Sequence, residues 1–335
     1  MHRWKLCASE FGSSAHQAEQ NKPAMILCLN LNAAIDKTVV VRSFEINKIH
    51  RPESVIVLAG GKGGNVARAL KTLGESPIVS GWVGGFSGQF IEKELHLEGI
   101  QTDFIHTDFE SRTCTSIFDR EKQTMTEIYE VGEIIPLEKI NELRDHILTN
   151  IGKCKAVTLS GSLPPGVPSN FYADLIEMAR KESVPTFLDT SGDALHKGVE
   201  AGPFFVKPNE TEAKSLLEIN ANDAFDSAQA AAEISTRYGT NVLLSLGASG
   251  AIAAKADEIF KVKSPSVEAR SAVGSGDCTL AGLVCGFMNG LSFEESIRCG
   301  VAAGTANTLT LGAGQFKIDD FERLRRQVHI YGKTR

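Results

Sequence analysis

Three short segments carry residues whose types and spacing suit chemistry on an anion. The first is Val273-Gly274-Ser275-Gly276-Asp277, which runs straight into the apolar stretch from Cys278 to Gly282. Glycine lets a ligand approach the main chain closely. Free N–H groups at a helix start, with the helix dipole, favour negative charge. Such a loop suits the charge that develops on a phosphoryl group in transfer, and Asp277 suits proton abstraction from an attacking hydroxyl. An ordinary helix cap accounts for the same residues.

The second segment is Gly60-Gly61-Lys62-Gly63-Gly64-Asn65. Four glycines around one lysine are not core-packing residues, so the backbone is expected to be exposed, for a ligand or as a loose turn. Lys62 is a candidate phosphate ligand, and Asn65 a candidate partner of sugar hydroxyls. A Walker A loop needs Ser or Thr directly after Gly-Lys, which is absent here. Gly332-Lys333-Thr334 lacks the preceding glycine and a following helix. The G-x-G-x-x-G spacing of dinucleotide folds is not matched either.

The third is Val206-Lys207-Pro208-Asn209-Glu210-Thr211-Glu212. Asn209 and Glu212, three apart, share one side of a first helical turn. Their oxygens suit a hydrated Mg²⁺, and they equally fit a capping box; the two roles are compatible. Two further loops, Ser160–Gly166 and Leu244–Gly250, follow strand-like runs where α/β proteins bind ligands. A rigid loop and a hairpin turn explain them as well. The eight histidines form no H-x-H or H-E-x-x-H pair, so a zinc site is not expected. There is no G-x-S-x-G nucleophile elbow.

These loops need elements to hold them. From about residue 137, helical and strand signals alternate: helix 137–150, strand 156–160, helix 169–182, strands 184–189 and 204–206, helices 210–217 and 225–238, strand 241–246. Alternation of this kind predicts a parallel sheet with helices on both faces. Two long helices follow at 277–290 and 294–310, then an amphipathic stretch at 319–328. The β-branched runs near 37–58 and 111–131 fit βαβ units poorly. They are expected to form a small separate β-sheet, a lid drawn from two parts of the chain. The expected architecture is one α/β domain over 25–330, with a doubly wound, mostly parallel sheet. Residues 1–24, with no periodicity and no apolar signal core, are expected to be a disordered extension.

Composition narrows the partners. Of 335 residues, 42% are apolar and 23% charged, ordinary for a globular chain able to bury its own core. A net charge of -6 argues against nucleic acid, which needs a basic footprint. It leaves room for a phosphorylated small molecule held by two or three cations. No apolar run is long enough to span a membrane. Seven cysteines without a C-x-x-C pair point to buried free thiols in a reducing cytoplasm.

Taken in order, Gly60–Ala67, Lys207-Pro208-Asn209-x-x-Glu212 and Gly274-Ser275-Gly276-Asp277 resemble the ribokinase-like (PfkB) family of carbohydrate kinases. The resemblance covers about residues 25–330. Leu31-Asn32-Ala33-Ala34-Ile35-Asp36 and Ser160–Gly166 resemble its 1-phosphofructokinase and tagatose-6-phosphate kinase branch. That likeness implies a phosphotransferase using ATP and Mg²⁺. Asp277 would be the general base, with the amides of Gly274, Ser275, Gly276 and Asp277 as the anion hole. Asp36, Gly60, Gly61, Lys62 and Asn65 would bind the sugar, and Arg112 its phosphate. Lys207, Asn209, Ser245, Gly247, Gly250 and Asn307 would line the nucleotide, with Asn209 and Glu212 holding the metal through water. The implied acceptor is fructose 1-phosphate, with tagatose 6-phosphate, fructose 6-phosphate or a neutral sugar as alternatives. A cytoplasmic homodimer joined through the β lid is also implied. A sugar-binding regulator without turnover is the rival of another class. The segment Glu127–Glu133 is acidic where the branch shows Gly-Pro.

Overall fold

Apolar and β-branched runs become the strands of two sheets in the computed structural model, which describes residues 25–220 and 223–334. The expected extension over 1–24 lies outside the described residues. In chain order the strands are β1 (Met25–Asn30), β2 (Ala34–Val41), β3 (Ser54–Gly60), β4 (Ser76–Gly84), β5 (Gln101–Thr102), β6 (Ile105–Thr107), β7 (Arg112–Asp119) and β8 (Thr124–Tyr129). They continue with β9 (Cys154–Ser160), β10 (Thr186–Asp189), β11 (Phe205–Val206), β12 (Asn241–Ser245), β13 (Ala251–Lys255), β14 (Glu258–Lys263) and β15 (His329–Thr334). The helices are α1 (Lys62–Thr72), α2 (Gly85–Leu97), α3 (Leu137–Asn150), α4 (Phe171–Lys181), α5 (Gly192–Glu200), α6 (Glu210–Leu216), α7 (Ser227–Tyr238), α8 (Ser275–Met288), α9 (Phe293–Asn307) and α10 (Ile318–Arg325).

The large sheet has the order β15-β14-β13-β12-β11-β10-β9-β1-β4-β5, with β6 also on β4. Its strands run parallel from β12 to β5, and β13, β14 and β15 form an antiparallel edge. Side chains alternate across it, as the two-residue period of a strand requires. Ile26 and Cys28 of β1 join a core with Leu70 of α1, Leu283 of α8 and Ala302 of α9. Leu27 and Leu29 join the opposite core with Leu143 of α3, Leu175 of α4 and Ile234 of α7. The chain leaves β1 toward β4 and resumes on its other side at β9. Strand order reverses there, and ligands of such sheets bind in the crevice at the carboxyl ends of the strands.

The small sheet, with the order β3-β2-β7-β8, is built from the two β-branched regions. Asp36 pairs with Leu58 and Cys114, Ala34 with Arg112, Cys114 with Tyr129, and Ser116 with Glu127. The pleat therefore puts Asp36, Arg112, Cys114, Glu127 and Tyr129 on one face. Val55, Val57 and Ile128 stand on the other, exposed.

One expectation needs correction. Helix α1 starts at Lys62, so Gly63 and Gly64 are helical. The glycine cluster is buried, not exposed: a Cβ at Gly63 would strike the Leu29 carbonyl of β1. These glycines let the helix start lie directly against a strand. Leu244–Gly250 becomes a hairpin, with a 3₁₀ turn at Gly247–Ser249 between β12 and β13. Gly332-Lys333-Thr334 lies in β15. The described cysteines are buried free thiols. Among the described residues no helix is long and apolar enough to cross a membrane.

Candidate active site

The start of α8 is built by a left-handed glycine. Gly274 is its N-cap with φ of 78° and no side-chain cap bond. A Cβ there would also lie 2.7 Å from Gly314 N and 2.8 Å from Ala313 Cα. Position 274 therefore requires glycine twice over. The Ser275 N–H donates to Ala272 O at 3.1 Å, so one of the four expected amides is already taken. The helix's own ladder begins with Cys278 N–H donating to Gly274 O at 3.0 Å. The amides of Gly276 and Asp277 precede it and have no acceptor among the described residues.

Asp277 does not cap the helix. Its Oδ2 accepts from Asn65 Nδ2 at 2.9 Å, and the residue is 5% exposed. Burial raises its carboxyl to about 6 against the pull of Lys62; Asp189 adds to the rise, and Asn65 and Lys207 oppose it. A carboxylate tuned toward neutrality suits a general base.

Asp36 projects from β2 into space that only glycine leaves open, since a Cβ at Gly60 would collide with its carboxylate. Burial raises Asp36 to about 6 as well, opposed by Arg68, Arg112 and the Gly61 amide.

Asp189, at the carboxyl end of β10, is the residue that sequence reasoning missed. Its Oδ1 lies 3.3 Å from Lys207 Nζ and 3.5 Å from Lys62 Nζ. Burial opposes its charge, but Lys207 and Lys62 outweigh that and hold the carboxyl below its usual range. The same contact raises the Lys62 ammonium against burial. Oδ2 of Asp189 is buried without a hydrogen-bond partner among the described residues. A Cβ at Gly276 would be 3.4 Å from Lys207 Nζ, so that ammonium lies over the glycine loop. The available signal was an acid closing a buried strand, where α/β sheets bind ligands.

Asn209 and Glu212 form the capping box of α6. Asn209 Oδ1 accepts from Glu212 N at 2.9 Å, and Glu212 Oε2 accepts from Asn209 N at 2.8 Å. Burial raises the Glu212 carboxyl. One cavity of about 490 Å³ gathers most of the expected residues. Asp36, Gly61, Lys62, Asn65 and Arg112 line it from the sugar set; Lys207, Asn209, Glu212 and Ser245 line it from the nucleotide and metal set. Gly274, Gly276 and Asp277 complete it, and Cys114, Glu127 and Tyr129 join from the small sheet.

Five expected residues stand apart from this lining: Gly60, which packs under the Asp36 carboxylate, Ser275, whose amide is taken, and Asn307, Gly250 and Gly247. Asn307 is 0% exposed; its Nδ2 donates to Val273 O at 2.8 Å and its Oδ1 accepts from Gln315 N at 3.1 Å. It braces the loop from behind. Gly250, with φ of 103°, sits where a Cβ would strike Val262 O, a requirement of the hairpin. Gly247 belongs to the turn of that hairpin. Arg112 reaches the cavity while its Nε donates to Asn32 O at 3.1 Å and its Nη1 to Glu130 O at 2.8 Å.

The sequence profile of the pfkB family carbohydrate kinases matches residues 29–319. A tagatose-6-phosphate kinase of Staphylococcus epidermidis is 32% identical over 309 residues, covering 91% of this chain and 99% of the relative. Phosphofructokinase-2 from Escherichia coli, solved with potassium, superposes with a TM-score of 0.84 at 27% identity, over 91% of this chain and 99% of that one. A protein from Thermotoga maritima, named a possible 1-phosphofructokinase, superposes with a TM-score of 0.82 at 25% identity, over 93% and 100%. With its three motifs gathered on one crevice and this likeness over nearly its whole folded length, the chain belongs to the pfkB family of carbohydrate kinases, phosphotransferases that act on a sugar hydroxyl.

Proposed function

We propose that the chain transfers the γ-phosphoryl group of ATP to a primary hydroxyl of a ketohexose monophosphate, with fructose 1-phosphate as the leading acceptor. The observation that carries this reading is Asp277, a buried carboxylate on the first turn of α8 whose pKa is raised to about 6, in one cavity with Lys62 and Arg112. Asp277 accepts the hydroxyl proton as the sugar oxygen bonds to the γ-phosphorus and the bond from that phosphorus to the ADP oxygen breaks. The amides of Gly276 and Asp277 and the Lys207 ammonium stabilise charge on the group in transfer. Asp36 accepts from sugar hydroxyls and fixes the acceptor. Two cations in one pocket favour an anionic acceptor over a neutral sugar. Positioning and electrostatics suffice, with no covalent intermediate.

The donor set also suits Mg²⁺. Asp189 Oδ2 is an orphaned buried oxygen, and Glu212 has one oxygen outside its capping box. Asn209 and Glu212 would hold the ion through water, as hard oxygen ligands do. Bound Mg²⁺ supplies neutralisation of phosphate charge. The exposed Val55, Val57 and Ile128 favour a second copy of the chain on the outer face of the small sheet, giving a homodimer. Sedimentation of the wild type against Val57→Lys tests this, with a monomeric wild type as the refuting result.

Tagatose 6-phosphate is the second reading, favoured by the Staphylococcus epidermidis relative. Both compounds present a phosphate at one end and a primary hydroxyl at the other. A regulator without turnover has no use for a buried base. The deciding experiment is a coupled ADP-release screen across ketoses and their 1- and 6-phosphates. ADP release that depends on a ketose phosphate is expected. Release with neutral sugars alone, or with none, overturns the reading.

A further inference from the structure

We propose that Arg68 is a positioning residue for phosphoryl transfer: its guanidinium fixes the orientation of the Asn65 amide, which in turn holds Asp277. The inference rests on the reading of Asp277 as the base. Arg68 lies on α1 one turn beyond Asn65 and is 5% exposed. Its Nη1 donates to Asn65 Oδ1 at 3.1 Å and to Ala313 O at 3.2 Å. Its Nη2 donates to Ala59 O at 2.6 Å and to Glu98 Oε1 at 3.0 Å, and Nε donates to Glu98 Oε2 at 2.6 Å.

A guanidinium carries donors and no acceptor. Asn65 must therefore turn its carbonyl oxygen to Arg68, which leaves its NH₂ group aimed at Asp277 Oδ2, 2.9 Å away. The flipped amide would set NH₂ against N–H on one side and oxygen against carboxylate on the other. Both contacts are repulsive, so one buried arginine selects one amide rotamer. Its bond to Ala313 O holds the segment that packs against Gly274, and its bond to Ala59 O holds the turn entering α1. Glu98 grips the planar fork by two oxygens, a geometry that lysine cannot reproduce.

The test is a pH series of steady-state kinetics on the full chain for wild type, Arg68→Met, Asn65→Ala and the double variant. Asp277 is faced by Lys62 from α1, by Asp189 at the end of β10, by Lys207 after β11 and by Asn65. Arg68→Met leaves the first three in place, but it also frees the Ala59 and Ala313 carbonyls and Glu98 and removes a cation that lowers Asp36, so the limb is read in kcat, with the acceptor bound at Asp36. The expected result is a loss in kcat of about ten- to a hundredfold. The acid limb should move up by about half to one pH unit, because the donation that favours the charged carboxylate is lost. In the Asn65→Ala background, Arg68→Met should add almost nothing.

An unmoved acid limb with a lowered Tm assigns Arg68 a purely structural role and overturns the proposal. So does an undiminished loss in the Asn65→Ala background. If Arg68→Met fails to fold, Glu98→Gln, whose side chain is 26% exposed, takes its place. A smaller shift in the same direction is expected there, and no shift refutes the relay. Asp277→Asn separates the two ideas: turnover retained in it removes the base, whereas an inert Asp277→Asn beside an unshifted Arg68→Met removes only the relay.

Discussion

The Asn65 side-chain nitrogen donates to Asp277 Oδ2 across 2.9 Å, joining residues 212 positions apart in the chain. One belongs to the glycine-lysine segment and the other to the glycine loop, so a single hydrogen bond links the sugar side of the cavity to the anion side. Replacing the acceptor leaves the cavity intact and removes the base. Asp277→Asn should lower kcat by about a thousandfold or more, while titration calorimetry finds ATP binding retained. Near-normal turnover would refute the assignment.

The same carboxyl costs stability. Its folded value of about 6 is above the ordinary 3.8, so between those values the native state keeps a proton that the unfolded chain has released. Native stability therefore falls as pH rises through that window. Asp277→Asn relieves the strain at pH 8 and should raise Tm there by about a few degrees. The gain should shrink toward pH 4. A lower Tm at pH 8 would show that the carboxylate is held favourably instead.

Activity should follow the same group. With Asp277 and Asp36 both near 6, kcat/KM should fall below about pH 6. Two carboxyls that must both be ionised give a limb steeper than one proton. A flat profile down to pH 5 would contradict both placements.

Asp189 is expected to matter more than any single lysine beside it. It anchors Lys62 and Lys207 on one oxygen, and removing its charge leaves two cations facing each other. Asp189→Asn should destabilise the fold by about 3–5 kcal/mol, the range for breaking a buried ion pair from one side. It should also weaken turnover. Denaturant unfolding with an unchanged midpoint would show that the lysines have other partners.

Two glycines separate a ligand role from a packing role. Gly60→Ala should push the Asp36 carboxylate aside and raise the sugar KM by about tenfold or more, leaving Tm little changed. Gly250→Ala should do the reverse, because φ of 103° and the Val262 carbonyl exclude a Cβ. Its Tm should fall while the ATP KM holds. A raised ATP KM with unchanged Tm would return Gly250 to the nucleotide.

Local spacing carried much of this site. The order of three motifs, the first turn that holds Asn209 and Glu212, and the split of the β-branched runs from the βαβ rhythm are all readable along the chain. They depend on neighbours within a few residues, where periodicity and capping act. The edge strands were harder: Ala251-Ile252-Ala253-Ala254 of β13 has no strand alternation, and only pairing with β12 and β14 makes it one.

What the linear chain could not decide is what meets across distance. Gly63 was expected to be exposed until a strand lay against it, and Arg112, expected at the acceptor's phosphate, gives two of its nitrogens to the Asn32 and Glu130 carbonyls. Asp189 reads as the end of a strand, and Arg68 as a charge among alanines. They gain their roles from Lys62 and Lys207, and from Asn65 and Glu98, brought close by the fold. Residue types fix which atoms can donate, accept or carry charge. Burial and proximity fix which of them act on each other, and at Asp277 they convert a helix-start acid into a candidate base.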